Sequence, residues 1–281
     1  MLTPEIVLLG GPNSGKTHYA GQLYGRLKRS PSLLKLRGTP TNLSALEEVL
    51  HSLEAGHAAG HTASGTWAEV LFPLEDTNGH HLDLCWPDYG GEQLKSVFTQ
   101  REVSDTWRTQ LCKANGWLLL IRLKNERTYP DRLAELANPP RASHHTSPTT
   151  QNDAWDANAY WVELLQILLH VAGLSMISRL KEPRLAVLLS CYDELEGTDS
   201  LKPKQIFANY LPLAANFIQS LWAADGVSIW GLSALGRLLQ PDSEDEDFIN
   251  QGPEYQGWIV TPEGRQESDL SLPLAWLLKT S

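Results

Sequence analysis

The sequence predicts an α/β fold of three layers, in which a mainly parallel sheet with one antiparallel edge strand carries helices on both faces. Short apolar runs with β-branched residues alternate along the chain with longer segments whose apolar residues recur at helical spacing. Two alternating runs flank Asn78-Gly79, which is a typical turn of a β-hairpin. A hairpin within an otherwise strand-helix order places one antiparallel strand beside a parallel sheet.

The predicted strands are short and mostly apolar, as expected for strands buried on both faces. They cover residues 5–9, 66–74, 81–86, 117–123, 184–190 and 227–232. The predicted helices cover residues 18–27, 41–56, 105–114, 156–172, 203–224 and 271–279. Asn42 or Ser44 is the predicted N-cap of the second helix.

The domain organisation follows from one change in composition. We expect a single domain over residues 1–281, because no internal repeat divides the chain. Residues 138–153, NPPRASHHTSPTTQND, contain almost no apolar side chain, so residues 124–155 are expected to form a flexible surface insertion. Residues 240–281 are expected to add a C-terminal hairpin and a closing helix.

Charge and hydropathy restrict the partners. Lys and Arg number 23 against 33 Asp and Glu, and the net charge of −10 argues against general affinity for nucleic acid or anionic membranes. No apolar stretch is long enough to cross a bilayer, and no signal peptide is expected before the first strand. The three cysteines are far apart, which indicates reduced, buried thiols. We therefore expect a cytoplasmic protein.

Residues 8–20, LLGGPNSGKTHYA, carry the main chemical motif. Gly10 and Gly15-Lys16-Thr17 satisfy G-x-x-x-x-G-K-[ST] between a predicted strand and a predicted helix. Backbone N–H groups of such a loop and the positive end of the helix dipole point at a phosphate. Lys16 can reach the outer phosphates, and the Thr17 hydroxyl can ligate Mg²⁺. The predicted nucleotide-binding residues are Asn13, Ser14, Gly15, Lys16, Thr17 and His18.

A second motif follows the predicted hairpin. Asp88-Tyr89-Gly90-Gly91 is a D-x-x-G sequence at the end of a strand, and Glu92 follows it. A carboxylate there would face the phosphate loop and support Mg²⁺ through water, and the Gly91 N–H could meet a terminal phosphate. The alternative is an ordinary turn, since D-x-x-G alone is a common sequence.

Two further strand ends carry residues that could read a base. One strand ends in Ser190-Cys191-Tyr192-Asp193, and another ends in Ser233-Ala234-Leu235. An aspartate in such a loop can accept hydrogen bonds from both N1–H and the exocyclic N2–H of guanine. Adenine lacks both donors, so Asp193 favours a guanine nucleotide.

In this order, GGPNSGKT, DYGG, SCYD and SAL resemble the nucleotide-binding elements of Ras-like P-loop GTPases of the translation-factor class, over residues 5–236. The resemblance implies a Ras-like three-layer fold that binds GTP with Mg²⁺. It implies that Asp88 supports the metal and that Thr62, with Thr66 as the competing candidate, binds Mg²⁺ and the γ-phosphate. It also implies that Asp193, Ser190, Ser233 and the Ala234 N–H read the base.

The chain departs from that class at three positions. Ser190 stands where the class has Asn or Thr, and Cys191 stands where it has Lys, which weakens guanine selectivity. Glu92 stands where many members have the Gln that orients the attacking water. With Lys16 and Glu92 as the catalytic candidates, hydrolysis is expected to be slow or to need a partner.

The insertion and the tail GWIVTPEGRQESDLSLPLAWLL resemble the bacterial double-GTPase conflict-system proteins, whose two GTPase-like domains are encoded as partners. This resemblance implies a GTP-controlled switch in bacterial immunity with a protein partner, either a second GTPase or an effector. Two alternatives stay open. One is a non-hydrolysing pseudo-GTPase that acts as an interaction platform, and the other is an ATP-dependent P-loop phosphotransferase.

Overall fold

The computed structural model describes residues 3–29, 32–60, 70–86, 91–129, 155–198 and 200–278. Five of the residues named above lie outside these ranges, namely Thr62, Thr66, Asp88, Tyr89 and Gly90. Residues 130–154 of the expected insertion also lie outside them. Within the described ranges, no helix is long and apolar enough to cross a membrane.

Nine strands of the described chain form one sheet. They are β1 (Glu5–Gly10), β2 (Leu34–Leu36), β3 (Val70–Asp76), β4 (His81–Trp86), β5 (Gly116–Ile121), β6 (Arg184–Ser190), β7 (Val227–Ser233), β8 (Trp258–Val260) and β9 (Gln266–Glu267). Their order across the sheet is β2-β3-β4-β1-β5-β6-β7-β8-β9.

The five central strands, from β4 to β7, are parallel, and each strand beyond them on either side pairs antiparallel with its neighbour. The predicted three-layer fold class is confirmed. The prediction of one antiparallel edge strand was too narrow, because β2 pairs outside β3 and the hairpin β8-β9 extends the other edge. The strand β2 has three residues, which is too short to leave a periodic pattern in the sequence.

The helices are α1 (Lys16–Arg29), α2 (Leu43–Glu54), α3 (Gly91–Gln100), α4 (Asp105–Lys113), α5 (Ala157–Val171), α6 (Pro203–Tyr210), α7 (Pro212–Leu221), α8 (Glu246–Gln251) and α9 (Leu272–Leu278). The alternating side chains of β1 divide between two cores. Val7 and Leu9 pack with α3 to α7, whereas Ile6 and Leu8 pack with α1, α2 and α9. The sheet is therefore the middle of three layers.

Several local predictions need correction. The predicted helix 203–224 is two helices, because Pro212 lacks the N–H that would continue α6 and instead starts α7. Asn42 is at the N-cap position of α2 but makes no side-chain capping hydrogen bond. All three thiols are free, but Cys85 is buried whereas Cys112 is exposed.

Candidate functional site

The phosphate loop connects β1 to α1 and has the backbone shape that its sequence predicts. Asn13 and Gly15 have φ angles of 55° and 77°, in the left-handed region where glycine and asparagine are tolerated best. Gly10 is required for space, since a Cβ there would lie 2.7 Å from the Ser14 Oγ. The Ser14 hydroxyl in turn donates to the Gly11 carbonyl at 2.8 Å, which closes the loop on itself.

The Lys16 ammonium lies over this loop. Its Nζ donates to the carbonyl oxygens of Gly10 and Gly11 at 2.7 and 2.6 Å and lies 3.3 Å from the Ser14 Oγ. Burial lowers the pKa of Lys16 from 10.5 to about 7. Because carbonyl dipoles only partly replace water around a cation, an arriving phosphate would restore the charged form.

Thr17 and His18 lie in the first turn of α1, and both are half-buried. A threonine hydroxyl is an oxygen ligand suited to Mg²⁺, so Thr17 fits the metal on donor chemistry. The other two proposed metal-supporting residues, Thr62 and Asp88, lie outside the described residues. Among the described residues, no group of three or more His, Cys, Asp or Glu could hold a metal by itself.

Gly91 and Glu92 open α3, directly after the undescribed residues 87–90. This position places the end of the D-x-x-G motif at the N-terminus of a helix, where backbone N–H groups lack intrahelical partners. Such groups bind anions readily. The proposed contact of the Gly91 N–H and the proposed catalytic role of Glu92 stay predictions.

The loop after β6, residues 190–194, lies beside the phosphate loop and is termed the base loop. A Cβ built on Gly15 would lie 3.9 Å from the Cys191 Sγ and 4.0 Å from the Ser190 Cβ. Ser190 is 2% exposed, and its hydroxyl has no hydrogen-bond partner among the described residues. A buried hydroxyl without a hydrogen bond costs folding free energy. A bound nucleotide could give the Ser190 hydroxyl its partner.

Asp193 is exposed at the end of this loop, while its neighbour Tyr192 is buried. The Tyr192 ring packs edge-on against Trp258 of β8, with ring centroids 6.0 Å apart. It also lies on Gly231 of β7, where a Cβ would come within 2.7 Å of the ring. The buried ring thus fixes the loop, while Asp193 is exposed. The proposed role of Asp193 in base reading stays a prediction.

The loop after β7 is held by a different set of contacts. The Ser233 hydroxyl accepts a hydrogen bond from the Gly236 N–H at 2.9 Å, so its side chain closes the turn. Ala234 is buried at 9% exposure. Gly257 packs so closely on the Ala234 carbonyl that a side chain there would overlap it. The proposed role of the Ala234 N–H in base reading stays a prediction.

The C-terminal hairpin contributes to the site in a way that sequence reasoning missed. Arg26 of α1 donates to the carbonyl oxygens of Gln256, Gly257 and Ser268, and Tyr19 donates to the Leu270 carbonyl at 3.0 Å. These contacts join α1, which starts at the phosphate loop, to residues 256–270. Gly257 and Trp258 of this segment pack on the loops after β7 and β6. Only long-range pairing creates them, so no local signal could have identified them.

Arg122, the residue after β5, is a second one that the sequence reasoning missed. Its guanidinium donates to both carboxylate oxygens of Glu194, at 3.0 Å for the Nε contact, and its Nη1 lies 3.4 Å from the Asn13 carbonyl oxygen. Glu194 belongs to the base loop, and Asn13 belongs to the phosphate loop. Arg122 therefore contacts both loops at once.

A cavity of about 320 Å³ adjoins the phosphate loop on the side of α5. It is bounded by Gly11 and Pro12 of the loop and by Glu126, Tyr160 and Trp161. Burial raises the pKa of Glu126 from 4.5 to about 7. A neutral carboxylic acid can therefore line this cavity near neutral pH.

A G-x-x-x-x-G-K-T loop at the carboxyl edge of a mainly parallel sheet, next to a loop with an exposed aspartate, defines a P-loop nucleotide-binding protein. The family model of Double-GTPase 1 matches residues 7–277, and the chain belongs to this family. It is accordingly a GTP-binding protein. The predicted resemblance to Ras-like P-loop GTPases and to double-GTPase proteins is confirmed.

Several solved structures are similar to the chain. The GTPase-like domain of S. cerevisiae Ski7, bound to GTP, is 16% identical with a TM-score of 0.43, over 83% of this chain and 43% of that one. The Arl6 BBS3 small GTPase of Trypanosoma brucei, with bound GppNp, is 11% identical with a TM-score of 0.38, over 83% and 88%. The bacterial selenocysteine-specific elongation factor EF-Sec is 12% identical with a TM-score of 0.38, over 83% of this chain.

The chain spans 26% of the length of that elongation factor. Among curated proteins, no match was found.

Proposed function

We propose that the protein is a GTP-controlled switch that hydrolyses GTP to GDP and phosphate slowly, or when a partner stimulates it. The observation that carries this proposal is the proximity of the two loops. A Cβ built on Gly15 of the phosphate loop would lie within 4.0 Å of Ser190 and Cys191, and Asp193 is exposed two residues further on. One nucleotide can therefore place its phosphates on Lys16 and its base on Asp193.

In this proposal, Lys16 and the backbone N–H groups of the loop bind the phosphates. Thr17, with Thr62 and Asp88, would hold Mg²⁺, which neutralises phosphate charge when bound. The Gly91 N–H donates to the terminal phosphate. Glu92 acts as the base that takes a proton from the attacking water. Its negative charge is repelled by the nearby phosphates, so the proposed hydrolysis is slow.

Base selection rests on hydrogen-bond complementarity. The Asp193 carboxylate accepts from guanine N1–H and N2–H, and the Ala234 N–H donates to the guanine carbonyl. Ser190 and Ser233 support these two loops. Adenine would leave the carboxylate unpaired, and an unpaired polar group in a binding site costs free energy.

A pseudo-GTPase that binds GTP without hydrolysing it is the second candidate. Cys191 in place of Lys and Glu92 in place of Gln favour it, since both replace residues that the Ras-like class uses for nucleotide selection or turnover. An ATP-dependent phosphotransferase is disfavoured, because adenine has neither the N1–H nor the N2–H that guanine would donate to the Asp193 carboxylate.

The family to which the chain belongs is described as Double-GTPase 1. We propose that a second GTPase or an effector is the protein partner of this chain, and that the pair acts in the cytoplasm as part of a bacterial defence system. The partner would accelerate the GTP hydrolysis that is slow with Glu92 alone.

The direct test is titration of fluorescent GTP, GDP and ATP into the protein, with and without Mg²⁺, followed by a phosphate-release assay. Guanine nucleotides should bind far more tightly than ATP, and Lys16→Ala should weaken GTP binding more than tenfold, as loss of a charge-assisted contact worth about 1.5–3 kcal/mol implies. GTP binding without phosphate release, both by the protein alone and when it is co-expressed with the proposed partner GTPase, would favour the pseudo-GTPase. Equal binding of ATP would favour the phosphotransferase.

A further inference from the structure

The base loop lacks the lysine that the Ras-like class carries, because Cys191 occupies that position. Cys191 has a φ of 50°, so the backbone there is left-handed without a long cationic side chain to hold it against its surroundings. The structure places a different cation in this region. The guanidinium of Arg122, from the neighbouring strand end, pairs with the carboxylate of Glu194 in this loop.

We propose that Arg122 is the positioning residue that joins the base loop to the phosphate loop, in place of the absent lysine. This inference rests on the proposed function. Arg122 holds Glu194 by two parallel contacts and reaches the Asn13 carbonyl, which the left-handed turn at Asn13 presents to it. Asp193, next to Glu194, is thereby set at a defined distance from Lys16.

The ion pair of Arg122 and Glu194 is suited to holding the base loop in one position. The side chains of Arg122 and Glu194 are 25% and 10% exposed, so solvent screens the interaction less than at an open surface. Hydrogen bonds with Glu194 are the main reason that the pKa of Arg122 is raised. A planar guanidinium also fixes the orientation of a carboxylate, which the single ammonium of a lysine does not do.

The same contacts could serve stability alone, so the test needs a readout that stability does not affect. Tripolyphosphate engages only the phosphate loop, whereas GTP engages both loops. If Arg122 positions Asp193 relative to Lys16, its loss should weaken GTP binding and lower the ratio of GTP to ATP affinity. Affinity for tripolyphosphate with Mg²⁺ should change little.

The experiment measures dissociation constants of GTP, ATP and tripolyphosphate for the wild type and for Arg122→Ala, Arg122→Lys and Glu194→Gln. We expect GTP affinity to fall about 10- to 100-fold in Arg122→Ala and less in Arg122→Lys, which keeps the charge but loses the paired contact. Arg122→Ala combined with Glu194→Gln should bind GTP about as well as Arg122→Ala alone, since both act through one contact. Arg37→Ala, which breaks a similarly half-buried pair with Asp83 at the other side of the sheet, is the matched control and should leave all three constants unchanged.

The result that overturns the inference is an unchanged ratio of GTP to ATP affinity in Arg122→Lys and Glu194→Gln, the two variants that perturb the fold least. An equal fall for tripolyphosphate and GTP would also overturn it, because Arg122 would then serve only the phosphate loop. A wild type without preference for GTP would instead refute the proposed function itself, so the two failures are distinguishable.

Discussion

Nucleotide binding should take up a proton, because the Lys16 amine of the free protein is mostly neutral above pH 7. Burial lowers the pKa of Lys16 to about 7, and a bound phosphate stabilises the ammonium and raises that pKa again. The affinity is therefore full well below pH 7 and falls as the pH rises through 7. With a pKa of about 7, the free ammonium is roughly one-tenth populated at pH 8, so binding there takes up about 0.9 proton.

Isothermal titration of GDP in Hepes and in Tris measures this uptake, since the two buffers differ in ionisation enthalpy. The dissociation constant should rise roughly 15-fold between pH 7 and pH 8.5, as the charged fraction of the free lysine falls. Lys16→Arg is the matched control, because a guanidinium stays charged throughout and its binding should show no such uptake. Wild-type binding that is independent of buffer and of pH over this range would refute the reasoning.

Three further predictions concern stability. The pKa of Glu126 is raised above its unfolded value, so its stabilising contribution is present at pH 4.5 and is lost as the pH rises through about 7. The wild-type free energy of unfolding should thus decline by about 1–3 kcal/mol from pH 5 to pH 8 in urea titrations, and parallel curves for wild type and Glu126→Gln would contradict this. Gly257→Ala should lower the free energy of unfolding by about 2–4 kcal/mol and weaken GTP binding, because the new Cβ overlaps the Ala234 carbonyl. Gly264→Ala is the matched control, because Gly264 also has a left-handed backbone but a Cβ there would lie 3.7 Å from its nearest neighbour, the Lys202 Cγ. An equal loss of unfolding free energy in both variants would show that the close approach at Gly257 has no effect. Replacing residues 138–153 by a short Gly-Ser linker should leave the melting temperature nearly unchanged, and a large fall in a thermal scan would show that this insertion packs on the core.

The parts that could be predicted from the sequence are those with a local signal. The phosphate loop depends on the spacing of Gly10, Gly15 and Lys16, and its strand and helix are adjacent in the chain. The central strands are continuous apolar runs, which leave little choice of structure. These features account for the phosphate loop and the central strands that the sequence predicts.

Other parts were missed for reasons of two kinds. The helix α3 had a readable signal in Leu94, Val97 and Phe98, which are buried at helical spacing. Arg122 and Gly257 had none, because their partners Asn13 and Ala234 are more than 20 positions away in the chain. An arginine after a strand and a glycine in a tail have many uses, and only the folded chain shows which groups they meet.

The most direct test of the guanine-binding account is competition of GTP, ATP and XTP against labelled GDP, for the wild type and Asp193→Asn. The two hydrogen bonds to Asp193 predict that the wild type prefers GTP over ATP by about 30- to 1000-fold. Asparagine can donate to the 2-keto group of xanthine, so the variant should lose that preference and shift toward XTP. Equal binding of GTP and ATP by the wild type would contradict the account.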